Sequence, residues 1–389
     1  MITKLNDYIN LLVCETERIE SLSGEVFYKY CEIGEIRPKI WEKLETEGLA
    51  FVRSLGKKLN EKDCKSLFPD SEFSMRKHIL EDIETAPFHV HGRESIDALI
   101  LEFKDKLDFE AAGRLSQYQD SESLKYLFSN YSSNPDLTDF LMHLYGECVY
   151  RHPEILEDNS LLEFYEKYMI DYWGVFLPPK PSCLELTVPL VRYARTEDSM
   201  GMDAYDYETI NVNEIVISKA NIRKCDLQPI DSVSGIFEAV SDWLNKSNGE
   251  VIARHCRVVN ASDSETIVHS LISTEKQLVG SLDKIKVKMT NASDAFNALF
   301  HAASGGGCAY CTMGNSLDAR AKAWKSFSSM MHLELDRGLD ISNEATSNWS
   351  WYFIKPDTEW FANIMDEVWL VSVNNKLDKA SMLAASDVD

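Results

Sequence analysis

The sequence has no long apolar run and no apolar start. No stretch approaches the roughly 20 apolar residues that span a bilayer, and Asn6, Asp7 and Asn10 interrupt the start, where a signal peptide needs an apolar core. We therefore expect a cytoplasmic protein without a membrane partner. Its nine cysteines, an odd number spread from Cys14 to Cys311, are typical of reduced thiols.

Positive charge is scarce. The chain has 40 lysine and arginine residues against 63 aspartate and glutamate residues, which gives a formal net charge of −23. Such a surface repels phosphate backbones, so we expect no nucleic-acid partner. A basic protein partner is favoured electrostatically, although the same acidity could serve solubility alone.

Several catalytic motifs are missing. There is no Gly-x-Ser-x-Gly sequence of a serine hydrolase and no Gly-Lys-Ser/Thr of a phosphate-binding loop. Tyr310 stands where a dinucleotide fingerprint would need glycine. We therefore predict no cofactor and lean against an enzyme.

The N-terminal half, residues 1–177, has the pattern of amphipathic helices, because its apolar residues recur every three to four positions. The apolar stripes are Ile40, Trp41 and Leu44; Leu49, Val52, Leu55 and Leu59; Ile96, Leu99, Ile100, Phe103 and Leu107; Leu124, Leu127, Phe128 and Tyr131; Leu137, Phe140, Leu141, Leu144 and Cys148; and Leu161, Leu162, Tyr165, Tyr168 and Met169. No strict repeat period relates them. The pattern predicts an irregular, solenoid-like domain of at least six helices.

The sequence Pro-Pro-Lys-Pro at 178–181 cannot continue a helix, and it marks the predicted boundary. Residues 183–389 are expected to form a mixed α/β domain. Alternating apolar residues predict strands at 184–188, 251–259, 285–289 and 349–353. Helical patterns predict helices at 234–246, 264–277, 291–304, 315–331 and 357–370. The predicted fold class is α+β, with a helical-repeat-like half followed by this domain.

The run from Ser304 to Cys311 is the first candidate site, because three glycines that free the backbone precede two cysteines with Cys-x-x-Cys spacing. The candidate residues here are Gly305, Gly306, Gly307, Cys308, Tyr310 and Cys311. The thiols could act in redox chemistry or, with His301 and His332, bind zinc. The glycines could cradle a phosphate or let two helices pack closely beside Trp324. All these alternatives stay open.

Other candidates lie elsewhere in the chain. His89 and His91 stand at strand spacing, and with a third ligand they could chelate a metal, although Pro87 and Gly92 favour a loop there. Asp387 and Asp389 could bind a cation or a basic partner, yet chain ends usually fray. Arg320 is a candidate ligand or partner residue next to the loop.

Four segments in the last hundred residues resemble a largely bacterial family of unknown function, best represented in actinomycetes. They are the run 304–310, the helix 318–326 with its arginine, alanine and tryptophan, the pair Trp360 and Phe361, and the acidic end 383–389. Residues 47–56 are similar to its helical segments. The resemblance implies a helical N-terminal half and no assigned activity, so it carries over no catalytic residue. The family loop does not require Cys308 or Cys311.

Two functions from different classes fit these observations. The first is an acidic protein-interaction module that binds a basic protein, with an inhibitor or immunity-type protein as a narrower form. The second is an enzyme or small-ligand-binding protein with a pocket at the 304–315 loop, near Tyr310, Arg320 and the terminal acids.

Overall fold

A computed structural model describes residues 2–22, 26–68, 74–173, 177–193, 200–201, 214–216, 224–230, 235–275, 285–305, 316–335, 340–355 and 367–387. The chain divides into two compact units. Unit 1 contains residues 1–144, 157–161 and 192–201, and unit 2 contains residues 145–156, 162–191 and 202–389. Residues 178–181, where the sequence predicts a boundary, are part of unit 2.

Unit 1 is built from helices. They are α1 (Ile2–Glu20), α2 (Val26–Glu45), α3 (Leu49–Leu59), α4 (Lys62–Lys65), α5 (Met75–Glu84), α6 (Ala86–His89), α7 (Arg93–Glu102), α8 (Phe109–Tyr118), α9 (Ser121–Tyr131) and the first half of α10 (Thr138–Arg151). Aspartate side chains start two of them: Asp108 accepts a hydrogen bond from the Ala111 N–H at 2.9 Å, and Asp120 accepts one from the Ser123 N–H at 2.7 Å. A short antiparallel pair, β1 (Arg192–Tyr193) with β2 (Met200–Gly201), completes the unit.

The apolar stripes of α1, α2 and α3 face a common core. Trp41, Leu44, Val52 and Leu55 are buried there, together with Leu12 from α1. The period of the apolar residues therefore predicts most of the buried positions correctly, whereas Phe103, Leu107 and Tyr131 at the ends of their stripes are only half-buried. The expected helical N-terminal half is confirmed.

Unit 2 combines helices with a sheet. Its helical elements are the second halves of α10 and of α11 (Asn159–Phe164), a π-helical turn (Tyr165–Met169), α12 (Ile170–Trp173), α13 (Ser241–Lys246), α14 (Ser264–Thr274), α15 (Ala292–Gly305), α16 (Ser316–Met330) and α17 (Ile341–Asn348). Its strands are β3 (Glu214–Val216), β4 (Asp226–Pro229), β5 (Glu250–Val259), β6 (Lys286–Thr290), β7 (Trp349–Lys355), β8 (Glu367–Asn374) and β9 (Lys379–Ser386).

The seven strands form one antiparallel sheet in the order β3-β6-β7-β8-β9-β5-β4. One face carries Trp369, Val371 and Val373, which pack in a core with Ile267 and Leu271 of α14. The other face is covered by α15 and α16. The Trp351 ring stacks there on Phe327 of α16, with the centroids 4.5 Å apart. Both faces of the central strands are therefore buried.

The α+β fold class is confirmed, as are the strands near 251–259, 285–289 and 349–353. The predicted helix at 357–370 is wrong where the structure describes it, because Glu367–Asn374 is strand β8. A strand with two buried faces has a continuous apolar run, which does not alternate and is easily confused with a helix.

The predicted strand at 184–188 is also wrong. Cys183–Glu185 is a 3₁₀-helix that begins with a capping box between Ser182 and Glu185. Residues 379–386 near the C-terminus do not fray, since they form β9, which lies between β8 and β5 in the sheet.

Candidate functional site

Most of the glycine-rich loop lies outside the described residues. Gly306, Gly307, Cys308, Tyr310 and Cys311 belong to that part of the chain, as does Asp389. The structure describes the two ends of the loop, which are Gly305 at the end of α15 and Ser316 at the start of α16.

The start of α16 is held by α10. The Glu147 carboxylate accepts a hydrogen bond from the Ser316 N–H at 3.1 Å, so a negative charge meets the positive end of the helix dipole. Gly146 allows the close approach, because a Cβ atom there would lie 2.7 Å from the Leu317 Cα. Both residues therefore serve to position this helix.

Arg320, one turn into α16, is fully buried with Glu185. Its Nε donates to Glu185 Oε1 at 2.7 Å, and both side chains are 0% exposed. Arg320 also donates to the carbonyl oxygens of Pro178 at 2.9 Å and Lys180 at 3.1 Å. The guanidinium lies over the Trp173 ring, 5.1 Å from its centroid. This side chain fastens the proline-rich segment to α16.

The surroundings of this cluster keep Glu185 and Arg320 in their charged forms. Burial acts to raise the pKa of Glu185, but the charge of Arg320 and hydrogen bonds from Arg320 and the Ser182 N–H outweigh it and hold that pKa below its usual value. Although burial opposes it, the Glu185 charge raises the pKa of Arg320. Burial and the same carboxylate raise the pKa of Tyr150, whose hydroxyl donates to Glu185 at 2.9 Å. The cluster is therefore an ion pair with a neutral phenol, without a group that changes charge near neutral pH.

Asp387 is buried rather than presented to solvent, with 0% exposure. Its carboxylate accepts a hydrogen bond from the Ser247 hydroxyl at 2.7 Å. Near Ser247, the Trp243 indole N–H donates to the Ala302 carbonyl of α15 at 3.2 Å. The structure thus connects Asp387 with the end of α15, where the glycine-rich loop begins.

The two candidate metal ligands of unit 1 lie in different surroundings. His89 ends α6, is 1% exposed and packs against the rings of Trp41 and Tyr118. The His91 side chain is 47% exposed and lies 3.5 Å from Asp120. Within the described ranges, no three histidine, cysteine, aspartate or glutamate side chains lie together as a metal site requires.

A polar cluster on the sheet was not found by sequence reasoning. Ser381 of β9 lies between two imidazoles, 2.9 Å from His255 Nδ1 and 2.9 Å from His332 Nε2. The two rings are 4.7 Å apart at 73°. His255 and Ser381 are partners in the β5 and β9 register, whereas His332 follows α16. The sequence contains no signal for this cluster, because only strand register and helix packing bring its members together.

An acidic helix face lies on unit 2. Glu163, Glu166 and Asp171 are exposed on α11, the π-helical turn and α12. Among the described residues, none of the three forms an ion pair. Lys167, the one basic residue in this stretch, lies over the Tyr168 ring at 4.7 Å. The exposed Tyr172 next to Asp171 donates its hydroxyl to Asp318 at 2.8 Å.

In the part of the chain that the structure describes, no helix has both the length and the apolar character needed to cross a membrane. Comparison with curated proteins and with solved structures finds no match. A family model matches residues 36–389, which include all the elements of unit 2. The chain therefore belongs to a family of unknown function, DUF6183.

Proposed function

We propose that this chain is an acidic protein-interaction module that binds a basic protein. The observation that carries the proposal is the acidic helix face of Glu163, Glu166 and Asp171, three exposed carboxylates without ion-pair partners among the described residues. They belong to a stretch, 154–171, with six acidic residues and one lysine, in a chain of net charge −23. A basic partner would find uncompensated negative charge here.

The surroundings of the face support a binding role. Tyr172 is 41% exposed, and its hydrogen bond to Asp318 fixes its ring. A partly exposed, oriented tyrosine beside charges is a frequent anchor in protein interfaces. The π-helical turn within the face is a rare element that occurs often at functional sites.

Electrostatic complementarity mainly increases the association rate and selects the partner's charge. The partner class is therefore a protein with a cluster of lysine and arginine residues. A protein that neutralises a basic toxin meets this description, so an inhibitor or immunity-type role is the narrower form of the proposal.

The test compares two triple variants with the same loss of charge. The first is Glu163→Gln, Glu166→Gln and Asp171→Asn. The control is Glu17→Gln, Glu35→Gln and Glu42→Gln, which neutralises three exposed carboxylates of unit 1. Each protein is immobilised and exposed to native lysate at low and high salt, and captured proteins are identified and quantified.

The wild-type chain and the control are expected to capture the same basic protein in a salt-sensitive way. The first variant is expected to capture at least tenfold less of it. Equal capture by both variants would show that only general acidity is involved, and it would contradict the proposed site. Capture that does not fall with salt would contradict the electrostatic basis. The alternative function, a pocket at the 304–315 loop, has no described residue that favours it.

A further inference from the structure

The C-terminal end of α16 has a histidine where glycine is the usual residue. The Leu333 N–H bonds to the Ser328 carbonyl at 3.0 Å, and the His332 N–H bonds to the Ser329 carbonyl at 2.8 Å. These two bonds form a Schellman motif, in which His332 takes the left-handed position with φ 56°. A side chain with a Cβ is strained in this conformation. Such strain at a residue is a reason to look for a role of its side chain.

The side chain of His332 reaches the polar cluster on the sheet. Its Nε2 lies 2.9 Å from Ser381 Oγ and 3.4 Å from the Ala380 carbonyl, and its ring stacks on Trp349 with the centroids 6.2 Å apart. Ser381 is 0% exposed, and His255 is 5% exposed. His332 is only partly buried. The three residues therefore form a hydrogen-bonded chain from the surface into the sheet.

The hydrogen-bonded cluster of His332, Ser381 and His255 can hold a limited number of protons. When both rings are neutral, one ring donates its N–H to Ser381 Oγ and the serine hydroxyl donates to the other ring. With one added proton, the protonated ring donates to Ser381 Oγ and the serine hydroxyl still donates to the other, neutral ring. A second added proton makes both rings donors to one oxygen and places two positive charges 4.7 Å apart at their ring centroids. Repulsion between these charges and the loss of an acceptor for the serine hydroxyl disfavour the doubly protonated cluster in this geometry.

His332 is the member that can leave. His255 is held by β5, which is paired on both sides, with β9 and with β4. The backbone of His332 belongs to no helix or strand; it follows the end of α16 in a strained conformation. The charged groups around the ring do not compensate a proton, because Lys379 opposes the charge while Asp378 favours it. Burial, the largest effect, lowers the pKa of His332 and outweighs the hydrogen bond to the Ala380 carbonyl, which raises it, so the surroundings favour the neutral ring.

We propose that His332, Ser381 and His255 form a proton-sensitive latch, which holds the end of α16 against β9 at neutral pH and releases it at mildly acidic pH. The latch does not depend on the proposed binding of a basic protein. A role in the latch accounts for a histidine at a position where glycine is the usual residue. The sign follows from burial: the neutral ring stabilises the closed end above the pKa of an unfolded histidine, about 6.5, and this stabilisation is lost as the pH falls.

The test is hydrogen exchange of the full chain at pH 7.5, 6.5 and 5.5, corrected for the intrinsic effect of pH on exchange. The readout is the segment 328–335, with β7 as the internal reference. In the wild-type chain, the opening constant of the segment is expected to rise up to about tenfold for each pH unit below the histidine pKa. The β7 reference should rise less than the segment. An unchanged opening constant would overturn the proposal.

Two variants separate the effect of the His332 imidazole from the effect of the strained backbone. His332→Gly removes the imidazole and suits the left-handed position, so its opening constant is expected to change by less than about twofold over the same pH range. The control His91→Asn, at an exposed histidine of unit 1, should keep the full rise. A full rise in His332→Gly would overturn the proposal. Asparagine also tolerates the left-handed conformation, so His332→Asn takes over the test if the glycine variant does not fold.

Discussion

Each unit contains a buried carboxylate paired with an arginine, Asp82 in unit 1 and Glu185 in unit 2, and the pKa values of these two carboxylates are shifted in opposite directions. In unit 1, Asp82 is paired with Arg37, which donates hydrogen bonds from its Nε and Nη2 atoms to the two carboxylate oxygens. Burial outweighs that pairing and raises the pKa of Asp82. In unit 2, Glu185 is buried at least as deeply beside Arg320, yet its pKa is lowered.

The difference lies in the number of hydrogen-bond donors. Asp82 has Arg37 as its donor, whereas Glu185 also accepts from the Ser182 N–H at 2.7 Å and the Tyr150 hydroxyl at 2.9 Å. Each bond to the charged form favours ionisation and offsets part of the cost of burial. An arginine alone therefore does not decide in which direction the pKa of a buried carboxylate is shifted.

The largest expected loss of stability comes from replacing each of the two buried carboxylates by the amide of the same shape. Glu185→Gln leaves Arg320 fully buried without a counter-charge and should cost about 3–5 kcal/mol of the free energy of unfolding. Asp82→Asn should cost only about 1 kcal/mol, because the Arg37 side chain is 14% exposed and can reach water. Urea unfolding at pH 7 measures both. Equal losses would show that the extra donors are irrelevant.

The pH dependence of the two carboxylates should have opposite signs. Glu185 has a lowered pKa, so its contribution is present above the pKa of an unfolded glutamate, about 4.3, and is lost as the pH falls. Asp82 has a raised pKa, so its contribution is greatest below about 3.9 and is lost as the pH rises. Unfolding curves of each variant, subtracted from wild type between pH 3 and 7, should slope in opposite directions. Parallel difference curves would contradict the pKa directions.

Glycine substitutions compare how tightly helices pack within unit 2 and within unit 1. Gly146→Ala in unit 2 places a Cβ 2.6 Å from the Leu317 Cβ and should cost about 1–3 kcal/mol. Gly34→Ala on α2 of unit 1 meets no atom within 4 Å and should stabilise by up to about 1 kcal/mol. Thermal unfolding measures both changes. A neutral Gly146→Ala would mean that α10 can move away from the start of α16 without cost.

Removal of a helix-capping aspartate should reduce the free energy of unfolding by the same amount in both units. Asp120 in unit 1 and Asp263 in unit 2 each accept a backbone N–H at 2.7 Å at the start of a helix. Either residue changed to alanine should cost about 1 kcal/mol, because the cap is a local interaction. Urea unfolding of the two variants compares them directly. Clearly unequal losses would point to tertiary contacts of one cap.

The smallest effect is expected for a surface ion pair of unit 1. Arg53 and Glu102 are 2.6 Å apart, with side chains 42% and 50% exposed. Arg53→Ala should cost less than about 1 kcal/mol, and high salt should reduce the loss further. Urea unfolding at low and high salt tests it. A loss as large as that of Glu185→Gln would contradict the contrast between exposed and buried pairs.

Much of the fold could be predicted because local patterns determine it. The α16 stripe with Leu317, Trp324 and Phe327 is buried as expected, and Asn291 caps α15 through a 2.8 Å bond to the Asp294 N–H. Strand β8 could not be predicted, since burial of both faces removes the alternation. Arg320 was identified as a candidate, but its burial depends on Glu185, 135 residues away.

The sequence by itself determined the acidity of the chain, its two kinds of secondary structure and the buried side of each amphipathic helix, because charge and periodicity are local properties. Only the tertiary structure decided which polar residues meet. It placed Arg320 on Glu185, Asp387 next to Ser247, and Ser381 between two histidines. These contacts depend on strand register and helix packing over long separations, which no local pattern encodes.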